Sequence, residues 1–85
     1  MDKVYGLCFD TGYISPSSFC FFKCKNKTET RKAGNLYRKQ WEVKEPIFAI
    51  VEIPTHLVED DFEKAREFAS EAVRNSPKYK LEYGF

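Results

Sequence analysis

The chain has 85 residues, 42% of them hydrophobic and 16% aromatic, with a net charge of +1. That is one domain with a modest core, and the composition excludes a low-complexity or disordered chain. No apolar run approaches the roughly 18 residues that a bilayer-spanning helix needs. The opening Met1-Asp2-Lys3 runs into an apolar stretch broken by Asp10 and Gly12, which argues against a signal peptide and makes the cytoplasm the expected location. Cys8, Cys20 and Cys24 are odd in number and lack a disulfide-framework spacing, so they read as small buried hydrophobes in a reducing compartment.

In chain order, Lys3 to Phe9 is rich in β-formers and predicts a strand, followed by turn chemistry from Asp10-Thr11-Gly12 to Ser17-Ser18. Phe19 to Lys25 predicts a second strand, antiparallel to the first. Its alternation sets Phe19, Phe21, Lys23 and Lys25 on one face and Cys20, Phe22 and Cys24 on the other. Asn26-Lys27-Thr28-Glu29 has the form of a capping box and opens a helix from Lys27 to Trp41. At about 100° per residue, Ala33, Leu36, Tyr37, Gln40 and Trp41 share one arc, and Lys27, Arg31, Lys32, Arg38 and Lys39 share the opposite one. Gly34 weakens this helix by roughly 1 kcal/mol relative to Ala.

Pro46 ends that region. Ile47 to Ile53 is nearly continuous in apolar residues and predicts a central strand buried on both faces. After Pro54-Thr55, a second helix is expected from Val58 to Asn75, with Val58, Phe62, Ala65, Phe68, Ala69, Ala72 and Val73 as its stripe and Ser76-Pro77 as its stop. Lys78 to Phe85 alternates and predicts a last strand. The expected fold is therefore a single α+β domain over residues 1–85, of order β-β-α-β-α-β, with a four-stranded sheet and two packed helices.

Patterns that could carry catalysis are thin. Asp10-Thr11-Gly12 has the form of an aspartic-protease turn, but the hydrophobic-hydrophobic-Gly motif that completes such a site is missing, and the tripeptide is ordinary turn chemistry. Cys8, Cys20, Cys24 and His56 suggest zinc; on a strand, however, Cys20 and Cys24 stand about 13 Å apart, too far for one tetrahedral ion. Glu59, Asp60, Asp61 and Glu63 suit the start of a helix through its dipole, without a metal. No glycine-rich phosphate loop is present, no nucleophile stands beside His56, and no cofactor is implied.

The charge distribution is more informative than its total. Residues 23–39 hold seven basic side chains against Glu29, a local +6, and residues 52–71 hold seven acids against Lys64 and Arg66, a local −5. A surface built only for solubility would intersperse the two signs. Lys23, Lys25, Lys27, Arg31, Lys32, Arg38 and Lys39, with Tyr37 beside them, form the candidate RNA-binding set. Cations neutralise phosphates, and aromatic rings stack unpaired bases in single-stranded or structured RNA. Glu59, Glu63, Glu67 and Glu71 form an acidic row whose like-charge spacing costs a few tenths of a kcal/mol per pair. That row is the candidate surface for a basic partner protein or for the basic helix of a second copy.

The stretch CKNKTETRKAGNLYRKQW, the chain length and the Lys/Asn/Phe/Tyr-rich style resemble small early proteins of T-even-like phages, among them toxin inhibitors that act against ribonuclease toxins of toxin–antitoxin defence systems. The resemblance implies a non-enzymatic inhibitor in the host cytoplasm that engages RNA and a basic ribonuclease toxin. The alternative reading is a protein-interaction module or homo-oligomeric adaptor without nucleic-acid binding.

Overall fold

A computed structural model of the chain describes residues 2–83. Strand β1 (Lys3–Phe9) is followed by a loop closed by a 3-10 turn (Pro16–Ser18), then β2 (Phe19–Cys24), α1 (Lys27–Trp41), β3 (Ile47–Ile53), α2 (Thr55–Asp60), α3 (Phe62–Arg74) and α4 (Pro77–Glu82). The result is an α+β fold with a three-stranded antiparallel sheet in the order β2-β1-β3. Helix α1 covers one face of this sheet; α2, α3 and α4 cover the other.

β1 is the strand buried on both sides, from Tyr5 through Phe9. Leu7 and Phe9 face α1, while Cys8 joins Ile14, Phe19, Phe48, Ile53, Ala65, Ala69 and Val73 in the core beneath α3. Burial of the Cys8 thiol raises its pKa from an ordinary 9.0 to about 11, so it stays protonated and inert at neutral pH. β3, expected at the centre, is an edge strand. Its apolar run is explained by helices above and below it rather than by strands on both sides. Between Cys8 and Phe9 its register with β1 slips, and Phe48 turns into the α3-side core with Ala49 packed against it.

Two further expectations are corrected. The helix anticipated from Val58 to Asn75 is two helices, because Asp61 leaves the helical conformation and caps α3, accepting from the Glu63 N–H at 2.9 Å. The anticipated fourth strand, Lys78 to Phe85, is helical over Pro77–Glu82, and its last two residues lie outside the described range. Ser76-Pro77 is a start signal there. Ser76 caps the helix by accepting from the Tyr79 N–H, and Pro77 occupies the first turn, where its missing N–H costs nothing. The alternation misled because Tyr79 and Tyr83 satisfy both a period of two and a helical i, i+4 spacing. Both pack on the α3-side core, Tyr83 with its ring centroid 5.1 Å from that of Phe48, while Leu81 is left 86% exposed.

α3 is fastened by polar as well as apolar contacts. Arg66 donates to the Phe19 carbonyl at 2.8 Å and lies over the rings of Phe21 and Phe62 at 5.2 and 5.8 Å. One helical end further on, Arg74 donates to the Ile14 carbonyl at 3.2 Å. These bonds hold the start of β2 and the 10–18 loop before it against the helix. Lys78 secures the far edge, donating to the Phe48 carbonyl at 2.7 Å.

Candidate nucleic-acid interface

α1 begins where the sequence places it. Asn26 accepts from the Glu29 N–H at 2.9 Å, and the Glu29 carboxylate returns to accept from the Lys25 N–H at 3.0 Å. The helix ends at Glu42, which adopts a left-handed conformation at φ 54°, ψ 41° and donates its N–H to the Arg38 carbonyl. That position normally belongs to glycine.

The helix is rolled on the sheet relative to its apolar arc. Thr30 and Gly34 are its buried residues, and Leu36 and Trp41 stand 70% and 64% exposed. The cause is Gly34. A Cβ there would come within 2.6 Å of Leu7 Cδ1 and 3.1 Å of Ile47 Cδ1, so the bare glycine marks the closest approach of helix to sheet. Thr30, one turn earlier, buries its hydroxyl by donating to the Asn26 carbonyl at 3.0 Å. The stripe that matters to packing is therefore small residues, which hydrophobicity alone does not reveal.

This roll sorts the candidate residues. Lys27, Arg31, Lys32 and Lys39 are exposed on α1 and form no ion pair among the described residues. Lys25 is exposed at the entry to the helix. Arg38 is half-buried and donates to the Lys44 carbonyl at 3.2 Å, binding the helix end to the loop before β3. Tyr37 is wedged among Phe9, Phe22 and Trp41, with ring centroids at 6.0 to 6.2 Å, and the neighbouring Cys20 thiol raises its phenol pKa above the ordinary value. Arg38 and Tyr37 thus serve the fold first. Lys23 lies across the sheet from α1, in an open groove of about 560 Å³ shared with Asp2, Val4, Thr55, Val58 and Glu59. It does not extend the α1 face. Phe19 and Phe21, which share the strand face of Lys23, are taken up by the α3-side core. Trp41 is the exposed aromatic beside the basic last turn.

The acidic row is also redistributed. Glu63, Glu67 and Glu71 remain an exposed i, i+4, i+8 row on α3; Glu59 belongs to α2, beyond the break at Asp61. Glu63 and Glu67 rim an open groove of about 490 Å³ with Pro16, Ser17 and Arg66. The basic α1 layer and the acidic α3 layer consequently occupy opposite faces of one sheet.

Among the described residues, no three His, Cys, Asp or Glu side chains converge as metal donors, and no helix is long and apolar enough to cross a membrane. Asp10-Thr11-Gly12 forms a turn at the end of β1: Asp10 donates its N–H to the Pro46 carbonyl at 2.8 Å, and Gly12 takes φ 83°. Comparison with protein-family models, curated proteins and solved structures returned no match.

Proposed function

We propose that the protein is a non-enzymatic RNA-binding module that presents Lys27, Arg31, Lys32 and Lys39 to the phosphate backbone. One observation carries this reading. These four cations stand exposed on a single helix, without ion-pair partners among the described residues, and the acids of comparable density lie behind the sheet. A helix of this kind offers phosphate contacts but no base-reading geometry, which suits affinity without sequence preference. Trp41 adds a ring on which an unpaired base can stack. Its exposure beside Lys39 favours single-stranded or structured RNA over duplex.

The resemblance of Cys24–Trp41 to small early phage proteins extends the proposal to inhibition of a ribonuclease toxin in the host cytoplasm. In that role α1 takes RNA, and the Glu63, Glu67 and Glu71 row takes the basic toxin. The second reading, a protein-interaction module without RNA, draws support from the same row, whose like-charge spacing is unfavourable in isolation.

Filter binding with a generic single-stranded RNA tests the first reading. The triple variant Arg31→Glu/Lys32→Glu/Lys39→Glu is expected to abolish binding while leaving the fold intact, because none of the three side chains is buried. Reversal of Glu63 and Glu67 to Lys is expected to leave RNA affinity undiminished and to weaken a basic protein partner. Absence of RNA binding by the wild type at low salt refutes the RNA reading and leaves the second.

A further inference from the structure

The two edges of the sheet are built differently. β3 is protected against pairing: its register slips at Phe48, Lys78 occupies the Phe48 carbonyl, and the exposed Glu52 carries a charge on the strand. Bulges and charges are the usual means of blunting an edge. β2 is regular throughout, without a bulge, and Lys23 is its one charge. Among the described residues, no main-chain group outside β1 bonds to it. Its ends are held by Arg66 at the Phe19 carbonyl and by Glu29 at the Lys25 N–H, leaving Cys20 to Cys24 between them. The sequence there, Cys-Phe-Phe-Lys-Cys, is that of a pairing strand. Above this edge, on the α1 side, stands Tyr37 against Phe22. Below it, Phe62 is half-exposed against Phe21.

We propose that β2 is an assembly edge whose occupant is β2 of a second copy, paired antiparallel about a two-fold axis to give a continuous six-stranded sheet. The argument for a second copy is self-complementarity. Residues opposite one another in an antiparallel pair must share a sheet face, so the axis must pass through a residue, and Phe22 gives the longest ladder. Phe22 then faces its own image, Cys20 faces Cys24 of the other copy, and Phe21 faces Lys23. No lysine meets a lysine. Each Lys23 instead stands opposite Phe21 of the other copy and moves towards the end of the partner strand at which Glu63 and Glu67 rim their groove. The dimensions are compatible. With strands about 4.8 Å apart, the two copies of β1 stand about 14 Å apart, leaving between the α1 helices a gap wider than the 8–10 Å of direct helix packing. Both α1 helices then lie on one face of the sheet, which doubles the basic surface; the pairing itself is independent of whether RNA binds there.

The cysteines make the register measurable. Within one strand Cys20 and Cys24 are about 13 Å apart and cannot be joined. Across the proposed ladder they face each other with Cα atoms about 4.5–5.5 Å apart, within disulfide reach.

The experiment is sedimentation equilibrium of the full chain, combined with diamide oxidation and non-reducing electrophoresis. The expected results are a species of twice the 10.0 kDa chain mass, a cross-linked dimer that survives Cys8→Ser, and loss of that cross-link in either Cys20→Ser or Cys24→Ser. A chain that stays monomeric throughout the accessible concentration range overturns the proposal. So does a dimer that forms no cross-link between Cys20 and Cys24, since it uses another surface. A cross-link that persists in Cys20→Ser through paired Cys24 residues overturns the register.

Discussion

The two helical layers of this protein divide the work of folding and display. α3 buries Ala65, Ala69, Ser70 and Val73 and is fastened to the start of β2 by Arg66 and to the loop before it by Arg74. α1 is two residues longer, yet buries only Thr30 and Gly34. A helix that seats on the sheet through Thr30, Gly34 and the half-buried ring of Tyr37 contributes less apolar burial than α3 and leaves most of its surface to solvent. The comparison shows that charge alone is a poor guide to role. Both helices carry a charged face; what separates them is how much else each side chain is bonded to.

That contrast can be broken in several places. The α3-side core should show the largest effect, through Cys8. Its pKa lies near 11 in the fold against 9.0 ordinarily. The folded-state value is the higher one, so its contribution is complete below about pH 9 and is lost as the pH rises through 11. The loss approaches about 2–3 kcal/mol. Urea denaturation of wild type and Cys8→Ala between pH 8 and pH 11 checks this: the wild type should lose stability more steeply.

Gly34→Ala comes next and tests the contact between α1 and the sheet. In an exposed helix the change would stabilise by roughly 1 kcal/mol. Here the new methyl meets buried Leu7 at 2.6 Å, and the expected outcome is destabilisation by about 2 kcal/mol. A stabilised variant would show that the helix does not press on the sheet at that point. Arg66→Ala, which removes the bond to Phe19 and the cover over two rings, should cost about 1.5 kcal/mol by the same measurement. Glu42→Gly should stabilise by about 0.5–1 kcal/mol, because glycine accepts the left-handed conformation at the end of α1 without strain. Smallest of all, Lys32→Ala should move stability by less than about 0.5 kcal/mol in either direction.

Several parts of this structure were legible in the sequence for identifiable reasons. The cap at Asn26 and Glu29 set the start of α1, and the antiparallel pairing of β1 with β2 follows from two β-rich runs joined by turn chemistry. The misreadings have a common origin in residues that serve two patterns. Tyr79 and Tyr83 fit a strand and a helix alike. Asp61 sits inside a continuous apolar stripe and still interrupts it. The run Ile47 to Ile53 looks central because helices, rather than strands, flank it. The candidate site was legible as a set of charges but not as a surface. Lys23 alternates onto the far face, and the roll that exposes Leu36 is set by a glycine whose effect depends on Leu7 and Ile47, distant in sequence.

The central claim is that α1 displays cations free to bind phosphate, and the salt dependence of RNA affinity tests it most directly. Four contacts from Lys27, Arg31, Lys32 and Lys39 predict that log K against log salt concentration falls with a slope near −3 for a single strand, at about −0.7 per phosphate neutralised. The triple charge reversal should bring that slope close to zero. RNA affinity that is independent of salt, or a slope unchanged by the reversal, would contradict the account.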